Sequence, residues 1–363
     1  MRRIFCEMNL LRFPPIEIEK AAMTMRGRPK NATLSDVAKA AKVSASTVSR
    51  VLRNPDVVSA ELQSRVRHAV DKLGYVPDPA ARSLASARSE NIGVVIPSVT
   101  NNVFVDVLSG IYAVTQESNL SIEIGNTRYS PMQEEKIVRM FLSQRPAGLI
   151  VTGLDQSAPC RALLENANCP IVQIMEFGKS PVDMLIGFSH RGAARAATRH
   201  LIEQGYRRIA FLGASMDPRA QRRLEGFTEA VVAASLFDEL LVVTTPRPTS
   251  VTVGCELMAE LLARAPDADA VFCINDDLAL GALFECQRRR IAVPTQFGIC
   301  GFNDLEMMAV ANPPLTSVQT FRREMGRRAA EMLMARIGGA SAPAPVVDLG
   351  FDLMERQSTR RRG

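Results

Sequence analysis

From Ile92 onward the chain is dominated by seven short, almost wholly apolar runs separated by stretches of helical periodicity, a pattern open to few folds. The runs are residues 92–96, 120–124, 148–151, 170–174, 208–212, 270–274 and 297–301. Between them lie helical stretches such as 132–143, 192–204 and 278–289. A strand apolar on both faces must be covered on both, and helices alternating with such strands supply that cover. The pattern therefore predicts buried parallel sheets. Ligands of such sheets bind outside the carboxyl ends of the strands. Polar residues stand at several of those ends: Pro97-Ser98, Met175-Glu176, Asn275-Asp276 and Phe302-Asn303-Asp304.

A different period governs residues 33–74. Thr33 is a good N-cap, with Asp36 at the third helical position, and Leu34, Val37, Ala38 and Ala41 form one apolar face. Ala41-Lys42-Val43 is a tight connection, and Ser44 caps a second helix that turns Val48, Val51 and Leu52 inward before Asn54-Pro55-Asp56 stops it. Ser59 caps a third helix, striped by Leu62, Val66, Ala69, Val70 and Leu73 and ended by Gly74. Three short helices with a very short first link form a helix-turn-helix. Its second helix would present Ala45, Ser46, Ser49 and Arg50 to base edges, with Ser44 and Thr47 placed for phosphates. Arg50 can grip guanine with two hydrogen bonds, but it reads equally as a surface arginine paired to phosphate or to an acid. Charge separates the head from the rest. Residues 1–90 hold 16 Lys and Arg against 9 Asp and Glu, and the remainder holds 28 against 29, so a polyanion partner would be met by the head alone.

These residues carry a resemblance. Thr33-Leu34-Ser35-Asp36-Val37-Ala38, the run Val43-Ser44-Ala45-Ser46-Thr47-Val48-Ser49-Arg50-Val51-Leu52, Val58-Ser59 and Leu73-Gly74-Tyr75-Val76-Pro77 resemble the headpiece of the lactose/purine-repressor (LacI-type) family. The resemblance implies an all-α helix-turn-helix headpiece plus an α/β two-lobed periplasmic-binding-protein-like core with parallel sheets. The expected boundaries are a disordered basic arm or misassigned start over 1–30, the headpiece over 31–76, a hinge helix and linker over 77–90, an effector-binding and dimerisation core over 91–357, and a basic tail over 358–363. Thr33 and Ser59 join Ser44, Ala45, Ser46, Thr47, Ser49 and Arg50 as expected DNA contacts. Leu84, in Pro79-Ala80-Ala81-Arg82-Ser83-Leu84-Ala85-Ser86, matches the hinge leucine that the family wedges into the minor groove. Asp78 departs from the family's usual Asn, and an acid beside phosphate weakens contact.

Within the family, Ser98-Val99-Thr100-Asn101-Asn102-Val103-Phe104, Val271-Phe272-Cys273-Ile274-Asn275-Asp276-Asp277-Leu278-Ala279 and Pro313-Pro314-Leu315-Thr316-Ser317-Val318 look closest to gluconate-utilisation repressors. That similarity implies a sugar-acid effector that releases the protein from DNA. Arg219 and Arg223 precede Gly226-Phe227, where the family places its effector-gripping arginine. Glu176, Asn275 and Asn303 match positions that hydrogen-bond sugar hydroxyls, and Phe104 one that packs on the ligand. Read without the family, Arg219 is equally a solvated loop residue, and Glu176, Asn275 and Asn303 are strand-end caps. The expected partners are a pseudo-palindromic double-stranded operator, a small sugar acid and a second copy of the chain. The tail shows no leucine heptads, which favours a dimer over a coiled-coil tetramer.

Other classes find little support. There is no Gly-x-Gly-x-x-Gly after a strand, no Walker loop and no Gly-x-Ser-x-Gly elbow, so no enzyme is expected. Asn275-Asp276-Asp277 reads as a metal or acid–base cluster, or as a ligand-binding corner with a helix cap. Seven scattered cysteines without a Cys-x-x-Cys pair point to thiols in a reducing cytoplasm, with neither metal nor cofactor. No apolar run reaches the roughly 18 residues that span a membrane.

Overall fold

A computed structural model of the chain describes residues 32–76, 89–340 and 345–361. It divides into two compact units, residues 1–78 and 79–363. In the first, α1 (Leu34–Ala41), α2 (Ala45–Arg53) and α3 (Ala60–Leu73) enclose Val37, Ala38, Ala41, Val48, Val51, Val66 and Ala69. Lys42, at φ 53, turns the chain between α1 and α2 in the left-handed region. Leu73 does not join this cluster, as its spacing predicts, and is 37% exposed. It is the last residue of α3, and left-handed Gly74 (φ 57) folds Tyr75 back onto the cluster in its stead.

The second unit has two lobes, each built on a six-stranded sheet. The first lobe contains β1 (Asn91–Ile96), α4 (Asn102–Thr115), β2 (Ser121–Asn126), α5 (Pro131–Ser143), β3 (Gly148–Thr152), α6 (Ala158–Glu165), β4 (Ile171–Ile174) and β5 (Met184–Gly187). The second contains α7 (His190–Glu203), β6 (Ile209–Ala214), α8 (Pro218–Ala233), β7 (Val242–Thr245), α9 (Val251–Arg264), β8 (Ala270–Cys273), α10 (Asp276–Arg288), β9 (Gly298–Asn303), α11 (Glu306–Val310) and β10 (Thr316–Gln319). The chain then returns to the first lobe through α12 (Arg322–Ile337) and β11 (Val346–Asp348), and ends in the second with β12 (Asp352–Met354). The order is β2-β1-β3-β4-β5-β11 in one sheet and β7-β6-β8-β9-β10-β12 in the other. Among the described residues all pairings are parallel except β12 against β10, an antiparallel edge absent from the sequence pattern. The central strands are buried along their length, which explains their unbroken apolar runs.

Return of the chain to the first lobe is locked by a close helix crossing. A Cβ on Gly110 of α4 would lie 2.1 Å from the Arg323 carbonyl, and one on Gly326 of α12 would lie 2.0 Å from that of Val107. Only glycine at both positions lets these two backbones touch. Residues 358–361, set apart in the sequence as part of a basic tail, are anchored in the second lobe. The Ser358 hydroxyl donates to the Ile299 carbonyl at 2.6 Å, and Thr359 Oγ1 lies 2.8 Å from His200 Nε2. The six described cysteines are unbridged. Among the described residues no helix is long and apolar enough to cross a membrane, and no group of three His, Cys, Asp or Glu could hold a metal ion.

Candidate functional site

In the headpiece the sequence fixes α2 by its N-terminus. Ser44 Oγ accepts the Thr47 amide at 3.1 Å and lies 2.8 Å from Ser46 Oγ and 2.7 Å from Thr47 Oγ1, so three hydroxyls gather at one helix start. A helix N-terminus with hydroxyls around it is suited to phosphate. Ser44, Ala45, Ser46 and Arg50 are exposed, and Thr47 and Ser49 half-buried. Thr33 and Asp36 form a reciprocal capping box on α1. Ser59 stands at the N-cap of α3 without a side-chain cap bond, so its expected capping role is not realised, and its exposed hydroxyl is left to other partners. Leu84 lies outside the described residues, as do the rest of 77–88 and the arm over 1–31.

Both sheets change strand order beside their first strand, and at such switch points a crevice opens outside the carboxyl ends. A cavity of about 180 Å³ lies there between the lobes. The first lobe contributes Ser98, Thr100, Asn101 and Phe104 after β1, Tyr129 after β2 and Met175 after β4. The second contributes Asp217, Arg219 and Arg223 from the start of α8, Thr249 ahead of α9, Ile274, Asn275 and Asp277 around the start of α10, and Asn303 at the end of β9.

Charge in this cavity is unevenly paired. Arg219 and Arg223 are one helical turn apart on α8 and share its cavity face. Arg219 donates to Asp217 at 3.1 Å. Burial disfavours the charge of both partners. Even so, Arg219, the Ala220 amide and Arg223 bring Asp217 down to about 2, and Asp217 holds Arg219 above its ordinary value. Arg223 has only neutral neighbours in hydrogen-bond range. Its Nε donates to His190 Nδ1 at 3.2 Å, its Nη1 to the Ile274 carbonyl, and its guanidinium lies 3.9 Å over the Phe302 ring. Among the described residues no carboxylate is within ion-pair distance of it, and burial pushes it down to about 10. Asn303, at φ 108, has a buried Oδ1 with no hydrogen-bond partner among the described residues. Burial also raises the Asp277 carboxyl.

Of the residues expected from the sequence, Phe104, Arg219, Arg223, Asn275 and Asn303 meet in this one cavity. Asn275 is also the N-cap of α10, accepting the Leu278 amide at 3.0 Å. Glu176 is not among the lining residues. It faces Arg222, whose Nη1 is 3.1 Å from Glu176 Oε2 and whose guanidinium grips Asp155 bidentately at 2.6 and 2.7 Å, an ion-pair cluster joining the lobes. Its neighbour Met175 takes the cavity position. The triplet at the start of α10 is no acid–base cluster. Asp276 is wholly buried, accepts from the Ser317 hydroxyl and the Leu305 amide at 2.6 and 2.7 Å, and is raised by burial to about 7. Asp217, Tyr129 and Thr249 carried no sequence signal, since each sits in a loop that only the fold brings to the cavity.

Residues 33–78 match the family model described as bacterial regulatory proteins, lacI family, and residues 198–359 match that of the periplasmic binding protein-like domain. Over 333 residues the chain is 44% identical to the HTH-type transcriptional regulator GntR of Pseudomonas aeruginosa, covering 92% of this chain and 96% of that protein. A solved lacI-family transcriptional regulator from Silicibacter pomeroyi superposes with a TM-score of 0.86 at 38% identity, covering 91% of this chain and all of that one. The lac repressor dimer bound to operator and an anti-inducer superposes at 0.77 with 26% identity over 91% of this chain and 99% of that one.

Proposed function

The chain belongs to the lacI family of bacterial regulatory proteins, and from that premise we propose that a gluconate-like sugar acid, bound between the lobes, controls its hold on operator DNA. It is a DNA-binding transcriptional repressor and not an enzyme, in keeping with relatives that are transcriptional regulators. The observation that carries the effector reading is Arg223, a buried guanidinium with no carboxylate in ion-pair distance among the described residues, lining a cavity rich in hydroxyl-binding groups. A ligand carboxylate would supply the missing charge in the bidentate geometry that arginine favours. Asn275, Asn303 and Asp277 are suited to the hydroxyls of a polyol, and Phe104 to its carbon face.

On this reading the protein works as a two-fold dimer on a pseudo-palindromic operator, as the lac repressor structure is a dimer on its operator. Lysines and arginines of the head supply salt-dependent affinity, and Arg50 with the segment over 77–90 supplies discrimination. Effector between the lobes alters their relation, and the change is passed to that segment and releases DNA. Because linkage is reciprocal, a typical coupling of about 1–3 kcal/mol gives roughly 5–150-fold control. The chain has no tryptophan, so calorimetry is the direct test. Gluconate or a phosphorylated or keto relative should bind saturably and lower operator affinity, while glucose stays silent. Silence from every acid, or equal binding of glucose, would overturn the effector reading.

Arg50→Ala should weaken operator binding by about 1–3 kcal/mol and relax base preference. Fluorescence anisotropy with operator and random duplexes checks this. Equal losses on the two would make Arg50 a phosphate contact only.

A further inference from the structure

His190 is the first residue of α7, placed just after the chain leaves β5 of the first lobe for the second, and it is wholly buried. Its two nitrogens face opposite ways. Nδ1 is 3.2 Å from Arg223 Nε, which can only donate, so Nδ1 must accept. Nε2 is 2.8 Å from the Met175 carbonyl, which can only accept, so Nε2 must carry the proton. The partners thus fix one neutral tautomer, and burial together with the Arg223 charge keeps the ring well below its ordinary pKa. Phe188 at 4.4 Å and Phe302 at 5.9 Å, the latter stacked, pack on the ring.

The two partners belong to different lobes. Arg223 comes from α8 of the second lobe, and Met175 from the end of β4 in the first, in the left-handed region at φ 67. Both also line the interlobe cavity. His190 is therefore the middle of a chain running from one lobe's backbone, through an imidazole, to the arginine that meets the ligand. With Nε held by His190 and one Nη1 hydrogen by Ile274, the remaining guanidinium hydrogens are those free to meet a carboxylate.

We propose that His190 is a positioning residue with two separable duties: through Nδ1 it aims Arg223 at the effector, and through Nε2 it ties that arginine to the first lobe. When the ligand pulls on Arg223, the imidazole passes the displacement to the Met175 carbonyl and so to the lobe that precedes it in the chain. This inference rests on the sugar-acid reading of the cavity.

Two amides divide the imidazole between them. In His190→Asn the side-chain oxygen can occupy the place of Nδ1 and accept from Arg223, but nothing reaches Met175. In His190→Gln the terminal amide can occupy the place of Nε2 and donate to Met175, leaving Arg223 Nε without its acceptor. Both variants are first checked by thermal unfolding, then titrated with gluconate by calorimetry and with operator in its presence and absence. His190→Gln should lose at least tenfold in gluconate affinity. His190→Asn should stay within about threefold of the unaltered protein, yet its ratio of operator affinities without and with gluconate should fall toward one. Operator affinity without gluconate should be unchanged in both. If the unaltered protein responds to gluconate and the two variants lose affinity and coupling alike, His190 only fills space and the relay is wrong. If one variant does not fold, the other still decides its own half. If the unaltered protein ignores gluconate, the sugar-acid reading fails first, and the relay with it.

Discussion

Arg223→Ala should abolish the response to a sugar acid while leaving operator binding in its absence intact. The expected loss of effector affinity is about 2–5 kcal/mol, the range for truncating one partner of a buried, hydrogen-bonded charge pair, or roughly 30-fold to several thousandfold. Among the described residues no carboxylate is within ion-pair distance of Arg223, and Asp217 offsets its charge only from farther away, so a ligand carboxylate in direct contact gains most from it. Arg223→Lys should recover little. The guanidinium lies over Phe302 at 3.9 Å while donating from two different nitrogens, and an ammonium cannot do both. Removal also leaves His190 Nδ1 and the Ile274 carbonyl without a donor, costing about 1–3 kcal/mol of stability per unsatisfied group, so binding should be measured well below the unfolding transition. Calorimetry with gluconate and anisotropy with operator, each on the variant, check the two halves. An unchanged effector dose curve would remove Arg223 from the site.

The split between effector and operator effects follows from a fold that was largely legible in the sequence. Strands such as β6 and β9, buried along their whole length, must be apolar at every position, and a run of that kind can be read without a partner in view. The strands that escaped notice are short, with three or four residues in β5, β7, β10, β11 and β12, and their identity depends on which neighbour they pair with. In the headpiece nearly every contact is local, so caps and spacing sufficed except at Leu73 and Ser59.

The cavity was read less evenly, for a geometric reason. Just past the end of β4 the chain turns through the left-handed region at Met175, so an offset of one exchanges a cavity residue for one facing away. Met175 faces the ligand space, and Glu176 faces Arg222. Along α8 the spacing of four between Arg219 and Arg223 kept both on one face, so the pair survived uncertainty about which of them matters. His190 left no trace, because one of its partners is a backbone carbonyl and the other lies 33 residues away.

Asn303 is where the neutral side chain matters most. It ends β9, is 3% exposed, lines the cavity and keeps a buried Oδ1 without a partner. Arg223 lines the same cavity, so position 303 and that guanidinium face one ligand space. Asn303→Asp would place there the carboxylate that Arg223 lacks. The protein would then satisfy its own cation, and the ligand's carboxylate would meet a like charge in a low-dielectric site, a juxtaposition that costs several kcal/mol. Sugar-acid affinity should fall at least 30-fold, by more than about 2 kcal/mol, and the preference for gluconate over glucose should collapse. The backbone at φ 108 accepts either residue type, since Asn and Asp both tolerate the left-handed side, so the change is electrostatic at nearly constant shape. Calorimetric titration of the variant with gluconate and glucose reads both quantities. If gluconate affinity holds, the ligand's charge lies away from Arg223 and Asn303, and the cavity binds its effector through hydroxyls alone.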